Sequence, residues 1–125
     1  MTNFIDANVI VKAFTDNEDK EKCRNFLNEE FITNALCLVE AQQAISKING
    51  NKLYAANCIK SLFKSSAIIL QLDKNLLFEA FKRIERCNLN IFDLIHYATA
   101  LTNHCAKIIS YDKDFDNLEI KRAEP

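Results

Sequence analysis

A single glycine and a single proline in 125 residues constrain this chain more than any other feature. Two-residue hairpins and phosphate-cradling loops rely on glycine for positive backbone φ angles. A sequence this poor in glycine has little means of building either, and helices are favoured. Short apolar runs between the helical patterns read as strands over 2–5, 31–33, 67–72 and 106–110, with an edge strand over 119–121. Helices are expected over 8–14, 20–28, 35–48, 52–64, 74–86 and 93–104. Strands alternating with helices predict an α/β fold, a three-layer α/β/α sandwich around a central parallel sheet of four or five strands. The run Ala67 to Leu72 is apolar enough to be a central strand covered on both faces. The helical patterns put Leu36, Val39, Ile45 and Ile48, and later Leu77, Phe78, Phe81 and Ile84, on inward faces.

The length suits one domain, residues 1–125, and no linker or repeat divides it. No apolar run approaches the ~20 residues that span a bilayer, and the N-terminus turns polar too early for a signal peptide. The five cysteines, Cys23, Cys37, Cys58, Cys87 and Cys105, form no CxxC pair. They read as small buried hydrophobes of a reducing cytoplasm. The net charge of −1 carries no nucleic-acid signal, but its distribution does. Between Glu40 and Asp73 no acid occurs, while Lys47, Lys52, Lys60 and Lys64 do. That segment is either a phosphate-facing surface or a solvated helical face.

Four carboxylates stand in unusual settings. Asp6 follows the strand residues Phe4 and Ile5 directly and precedes a helix, so it sits where open α/β sheets place ligands; a helix N-cap is the structural alternative. Glu40 lies in the apolar run Leu36 to Ala41 with no Lys or Arg at helical spacing. Burying it unpaired is costly, and the alternative is an exposed stripe with Gln43 and Lys47. Asp93 stands at a helix start, where the dipole also favours it. Asp112 lies just past a strand, followed by Asp114 and Asp116. The spacing resembles a calcium loop, but the glycine and terminal glutamate of an EF-hand are missing. Acids at the ends of parallel strands share one sheet edge, and their mutual repulsion is relieved by a cation; hard oxygen donors imply Mg²⁺ or Mn²⁺. His96 reads as a partly buried supporting group and His104 as a helix-end surface residue.

The order of these motifs resembles a PIN domain and, in length and layout, the single-domain VapC-type toxins. The carrying residues are Ile5-Asp6-Ala7-Asn8-Val9-Ile10, Leu38-Val39-Glu40, Asp93-Leu94-Ile95-His96-Tyr97-Ala98-Thr99-Ala100-Leu101 and Ser110-Tyr111-Asp112-Lys113-Asp114-Phe115. The chain departs from the family pattern in lacking a proline near the second strand, where Ile32-Thr33-Asn34 stands, and in having Ser110 where threonine is commoner. The resemblance implies a metal-dependent endoribonuclease, the toxin of a toxin–antitoxin pair, with Asp6, Glu40, Asp93 and Asp112 as catalytic metal ligands. Asn8, Ser110 and Asp114 would support them, and Lys47, Lys52, Lys60 and Lys64 would follow the RNA backbone. A cognate antitoxin and a homodimer are implied as partners. A DNA-directed nuclease and a non-catalytic binding module are the alternative expectations.

Overall fold

The computed structural model describes residues 2–125. These form five parallel strands in the order β3-β2-β1-β4-β5, namely β1 (Asn3–Ile5), β2 (Phe31–Asn34), β3 (Ala67–Leu70), β4 (Lys107–Ile109) and β5 (Lys121–Ala123). Six helices join them: α1 (Ala7–Ala13), α2 (Lys20–Leu27), α3 (Ala35–Asn49), α4 (Lys52–Leu62), α5 (Lys74–Phe81) and α6 (Ile91–Thr102). A 3₁₀ turn at Lys113–Phe115 follows β4.

Strand alternation explains the layers. Phe4 pairs with Ile32 and Ile108 in register, and Ile5 with Ile109. Ile5, Phe31 and Ile109 face a core shared with Val9, Ile10, Leu27, Ile45 and Ile59 from α1 to α4. Phe4, Ile32 and Ile108 face the opposite core, with Tyr97 and Ala100 of α6. The small residues Ala80 and Ala98 are fully buried where α5 packs on α6. A period of two residues thus sends neighbouring side chains to opposite layers.

Local chemistry sets the helix ends. Asp6, Asn34, Asn51, Asp73 and Asn90 are N-caps whose side chains accept backbone N–H groups of the first turn. Gly50 closes α3 in the left-handed region at φ 64°, which is the use expected of the chain's only glycine.

Three expectations need correction. The run from Ala67 forms the sheet edge, not its centre, and Ile68 is 42 % exposed. Helix α3 buries Cys37, Leu38, Ala41 and Ile45, leaving Val39 and Ile48 outside. Helix α5 ends at Phe81 and buries Leu76 and Ala80, so Phe78, Phe81 and Ile84 are exposed. The reason is common to both helices. Alanine and cysteine allow close approach to the neighbouring layer, while periodicity alone favours the bulkier face. Smaller shifts place the last strand at 121–123 rather than 119–121, and start α6 at Ile91, capped by Asn90.

Strand β1 is followed in sequence by its neighbour β2 on one side, while β4 flanks it on the other. The chain therefore reverses direction across the sheet between β1 and β4, and the crevice at their C-terminal ends is where such sheets bind ligands.

Candidate metal centre

That crevice is a cavity of about 570 Å³ lined by Asp6, Glu40, Asp93 and Asp112, together with Asn8 and Lys12. The four acids come from four different places: the end of β1, the second turn of α3, the first turn of α6 and the loop after β4.

Asp6 is buried, and both of its oxygens are engaged. Oδ1 accepts the Ala7 N–H at 2.8 Å, the N-cap bond. Oδ2 accepts the Ser110 hydroxyl at 2.7 Å and Asn8 Nδ2 at 3.3 Å. The cap and site readings of Asp6 are thus compatible. Ser110 Oγ also accepts Asn8 Nδ2 at 3.1 Å and the Asp112 N–H at 3.0 Å, and Asn8 Oδ1 accepts the Tyr111 N–H at 3.2 Å. Asn8 and Ser110 therefore join the end of β1 to the loop after β4. Burial pushes the Asp6 carboxyl up; His96 and the Ser110 and Ala7 hydrogen bonds oppose this.

On the other side of the cavity the acids have fewer donors. Asp93 accepts Asn90 Nδ2 at 3.2 Å, while Asn90 Oδ1 takes the Asp93 N–H at 2.9 Å. Asp112 Oδ1 accepts the Asp114 N–H at 2.9 Å, capping the 3₁₀ turn. One carboxylate oxygen from each of Asp93, Asp112 and Asp114 lies within 4.8 Å of the other two. Burial, then the charges of Asp112 and Asp6, push Asp93 up to about 6. Among the described residues no lysine or arginine forms an ion pair with Asp6, Glu40, Asp93 or Asp112. A set of hard oxygen donors, with Asp6 and Asp93 pushed up and no lysine or arginine paired to any of them, fits Mg²⁺ or Mn²⁺.

Sequence reasoning underestimated His96. It is buried at 1 % exposure, and its Nε2 lies 2.7 Å from Glu40 Oε1. Nδ1 lies 3.0 Å from Asn34 Nδ2 and 3.4 Å from Cys37 Sγ. Burial opposes charge on the ring and Cys37, Glu40 and Asp6 favour it, while the Asn34 Nδ2 donor facing Nδ1 disfavours a second ring proton. The Cys37 contribution requires a thiolate, yet burial raises the Cys37 thiol, which keeps the sulfur neutral and weakens that push. Lys12 was also missed. It lines the cavity, 4.7 Å from the Tyr111 ring centre and 3.4 Å from Asp19. By contrast Lys47, Lys52, Lys60 and Lys64 are exposed on and beyond α3 and α4 and do not line the cavity. His104 is exposed just past the end of α6. The cysteines are free, and all but Cys87 are buried.

The PIN-domain pattern matches residues 4–121 of the sequence. The chain belongs to the PIN-domain family. No curated protein matches it in sequence. Among solved structures, this PIN domain is similar in fold to Mycobacterium tuberculosis VapC20, a toxin that cleaves the sarcin–ricin loop, with a TM-score of 0.83 at 12 % identity over 99 % of this chain and 100 % of that one. It also resembles a chain of a toxin–antitoxin complex from Klebsiella pneumoniae (TM-score 0.75, 13 % identity, 94 % and 93 % covered). A third similar structure is VapBC2 from Rickettsia felis bound to a promoter DNA fragment (TM-score 0.71, 16 % identity, 99 % and 98 % covered).

Proposed function

We propose that this PIN domain is a metal-dependent endoribonuclease, the toxin of a toxin–antitoxin pair acting in the cytoplasm. The observation that carries this reading is the cavity itself. Four carboxylates from four elements line it, and no lysine or arginine among the described residues pairs with them. A Mg²⁺ or Mn²⁺ ion bound there supplies an activated water and charge for the leaving oxygen of a phosphodiester. Asp6, Glu40, Asp93 and Asp112 hold the ion. Asn8 and Ser110 fix Asp6, and Asp114 adds negative charge at the outer rim. Asp93, with its carboxyl pushed up to about 6, is mainly ionised near neutral pH and offers a charged oxygen to the cation. Lys12 meets a phosphate at the cavity wall, and Lys47, Lys52, Lys60 and Lys64 add positive charge on the α3–α4 hairpin.

Partners are supported by apolar surface that the fold leaves uncovered. Val39 and Phe63 are exposed at an apolar cleft between α3 and α4 whose floor includes the buried Leu38 and Ile59, and Phe78, Phe81 and Ile84 are exposed after β3. Contiguous apolar surface of this kind marks protein contacts, as an antitoxin and a second copy of the chain would make. No helix among the described residues is long and apolar enough to cross a membrane.

The test is cleavage of a mixed structured RNA by purified protein with Mn²⁺, against EDTA and an Asp6→Asn variant. Metal-dependent cutting that disappears in Asp6→Asn is expected. Equal cutting by the variant would point to a contaminant, cutting of DNA alone would redirect the reading to a DNA nuclease, and no Mn²⁺ binding would leave a non-catalytic binding module.

A further inference from the structure

Asp6, Cys37 and His96, all buried, bring an oxygen, a sulfur and a nitrogen within 4.8 Å of one another, and of the three only Asp6 lines the cavity. By donor type alone this looks like a site for a softer metal, with His96 as a ligand. The hydrogen bonds around Asn34 decide otherwise.

Asn34 Oδ1 accepts the Cys37 N–H at 2.8 Å as the N-cap of α3, which fixes which end of the amide is oxygen. Its Nδ2 therefore carries two protons to place. One goes to Thr99 Oγ1 at 2.9 Å, because the Thr99 hydroxyl proton is already donated to Ile95 O at 2.8 Å. The other faces His96 Nδ1 at 3.0 Å. That nitrogen must accept, so the ring proton sits on Nε2, facing Glu40 Oε1 at 2.7 Å. A ring nitrogen bearing a proton does not bind a cation.

We infer that His96 is a positioning residue, locked by Asn34 as the Nε2–H form, which holds the Glu40 carboxylate in place for a divalent cation and is itself barred from ligating it. Glu40 is a half-buried side chain at the cavity face of α3, and this bond ties it to the buried ring of α6. The chain of donors runs from the α3 cap through a buried amide and a buried ring to one carboxylate oxygen. Partners of this kind, which orient ligands without touching the metal, typically contribute 10–100-fold to metal affinity. The inference rests on the metal-site reading above, but its first test needs no RNA and begins in metal-free protein, where the ring's proton is read independently of that reading.

That test is ¹⁵N NMR of histidine-labelled protein at neutral pH, with His104→Asn to assign the two rings. Asparagine tolerates the positive φ of 54° at position 104. The expected result is a His96 proton on Nε2 and a bare Nδ1, with the Nε2–H signal shifted but retained when Mg²⁺ is added. A proton on Nδ1, or loss of the Nε2 proton on adding Mg²⁺, overturns the inference. The second test is Mn²⁺ titration followed by electron paramagnetic resonance. His96→Leu should bind Mn²⁺ about 10–100-fold more weakly, and His96→Gln, whose amide both donates to Glu40 and accepts from Asn34, should recover most of the loss. Unchanged Mn²⁺ binding in a folded His96→Leu overturns it, as does a folded His96→Gln no better than leucine. Failure of the wild type to bind Mn²⁺ would instead count against the nuclease reading, with the NMR result standing apart from it.

Discussion

The two sides of the acidic cavity are built differently. On the inner side, Asp6 and Glu40 meet donors from the rigid core: Ser110, Asn8 and Ala7 for Asp6, and His96 for Glu40. On the outer side, Asp93, Asp112 and Asp114 face mainly one another, and their hydrogen bonds come from their own local turns. The inner side is preorganised by hydrogen bonds, whereas the outer side stores repulsion that only a proton or a cation relieves. A site of this design has its geometry set by one half and its appetite for charge by the other.

The largest effect should come from the inner side. Asp6→Asn should reduce RNA cleavage to the level seen with EDTA, while the metal-free melting temperature stays unchanged or rises. The asparagine oxygen still caps α1, and a desolvated charge is gone. A large drop in melting temperature would show that the carboxylate serves mainly as a cap. Ser110→Ala should follow. It removes a donor to Asp6 and an acceptor for Asn8 and Asp112, so activity should fall about 10–100-fold and stability by about 1–3 kcal/mol, measured by kinetics and urea unfolding.

The outer side should respond to pH instead. Asp93 is raised to about 6 from an ordinary value of 3.8, so the folded state binds its proton more tightly than the unfolded chain does. The resulting stabilisation is fully present below about 4 and is lost as pH rises through about 6. Asp6 is shifted in the same sense. Metal-free protein should therefore melt at a higher temperature at pH 5 than at pH 7.5. Asp93→Asn should flatten that dependence, and saturating Mg²⁺ should restore stability at the higher pH. A melting temperature that rises from pH 5 to 7.5 without metal would break the contrast between the two sides.

The smallest effects belong to the lysines. Lys12→Ala should weaken RNA binding and reduce the salt slope by about 0.7, the share of one single-strand phosphate contact. Lys47→Ala and Lys60→Ala, farther from the acids, should each change binding less than Lys12→Ala does in a filter-binding assay.

Much of this was legible in the sequence because it is local. Asp6, Asp93 and Asp112 announce themselves by standing next to strand or helix ends, and Glu40 by its apolar surroundings. The same residues line one cavity in the fold. What was hidden depends on long-range contacts. Asn34 and His96 are separated by 62 residues, and nothing in either neighbourhood shows that an N-cap amide and a ring nitrogen will meet. Lys12 lies off the buried Val9–Ile10–Ala13 face of α1, a position that shows it is outside the core and not that it lines the cavity. The edge position of β3 was equally unreadable, because an apolar run looks the same whether a helix layer or a partner covers it. Phe78 and Phe81 misled for the same reason, being bulky residues whose place is set by the smaller alanine opposite.

The most direct test of the account is calorimetric titration of Mn²⁺ into metal-free protein at pH 7.5, repeated for Asp6→Asn, Glu40→Gln, Asp93→Asn and Asp112→Asn. Saturable binding is expected in the wild type and weaker binding in all four variants, because both sides of the cavity would hold the same ion. Binding that is absent in the wild type, or that survives unchanged in the Asp6→Asn and Glu40→Gln proteins, would contradict this expectation.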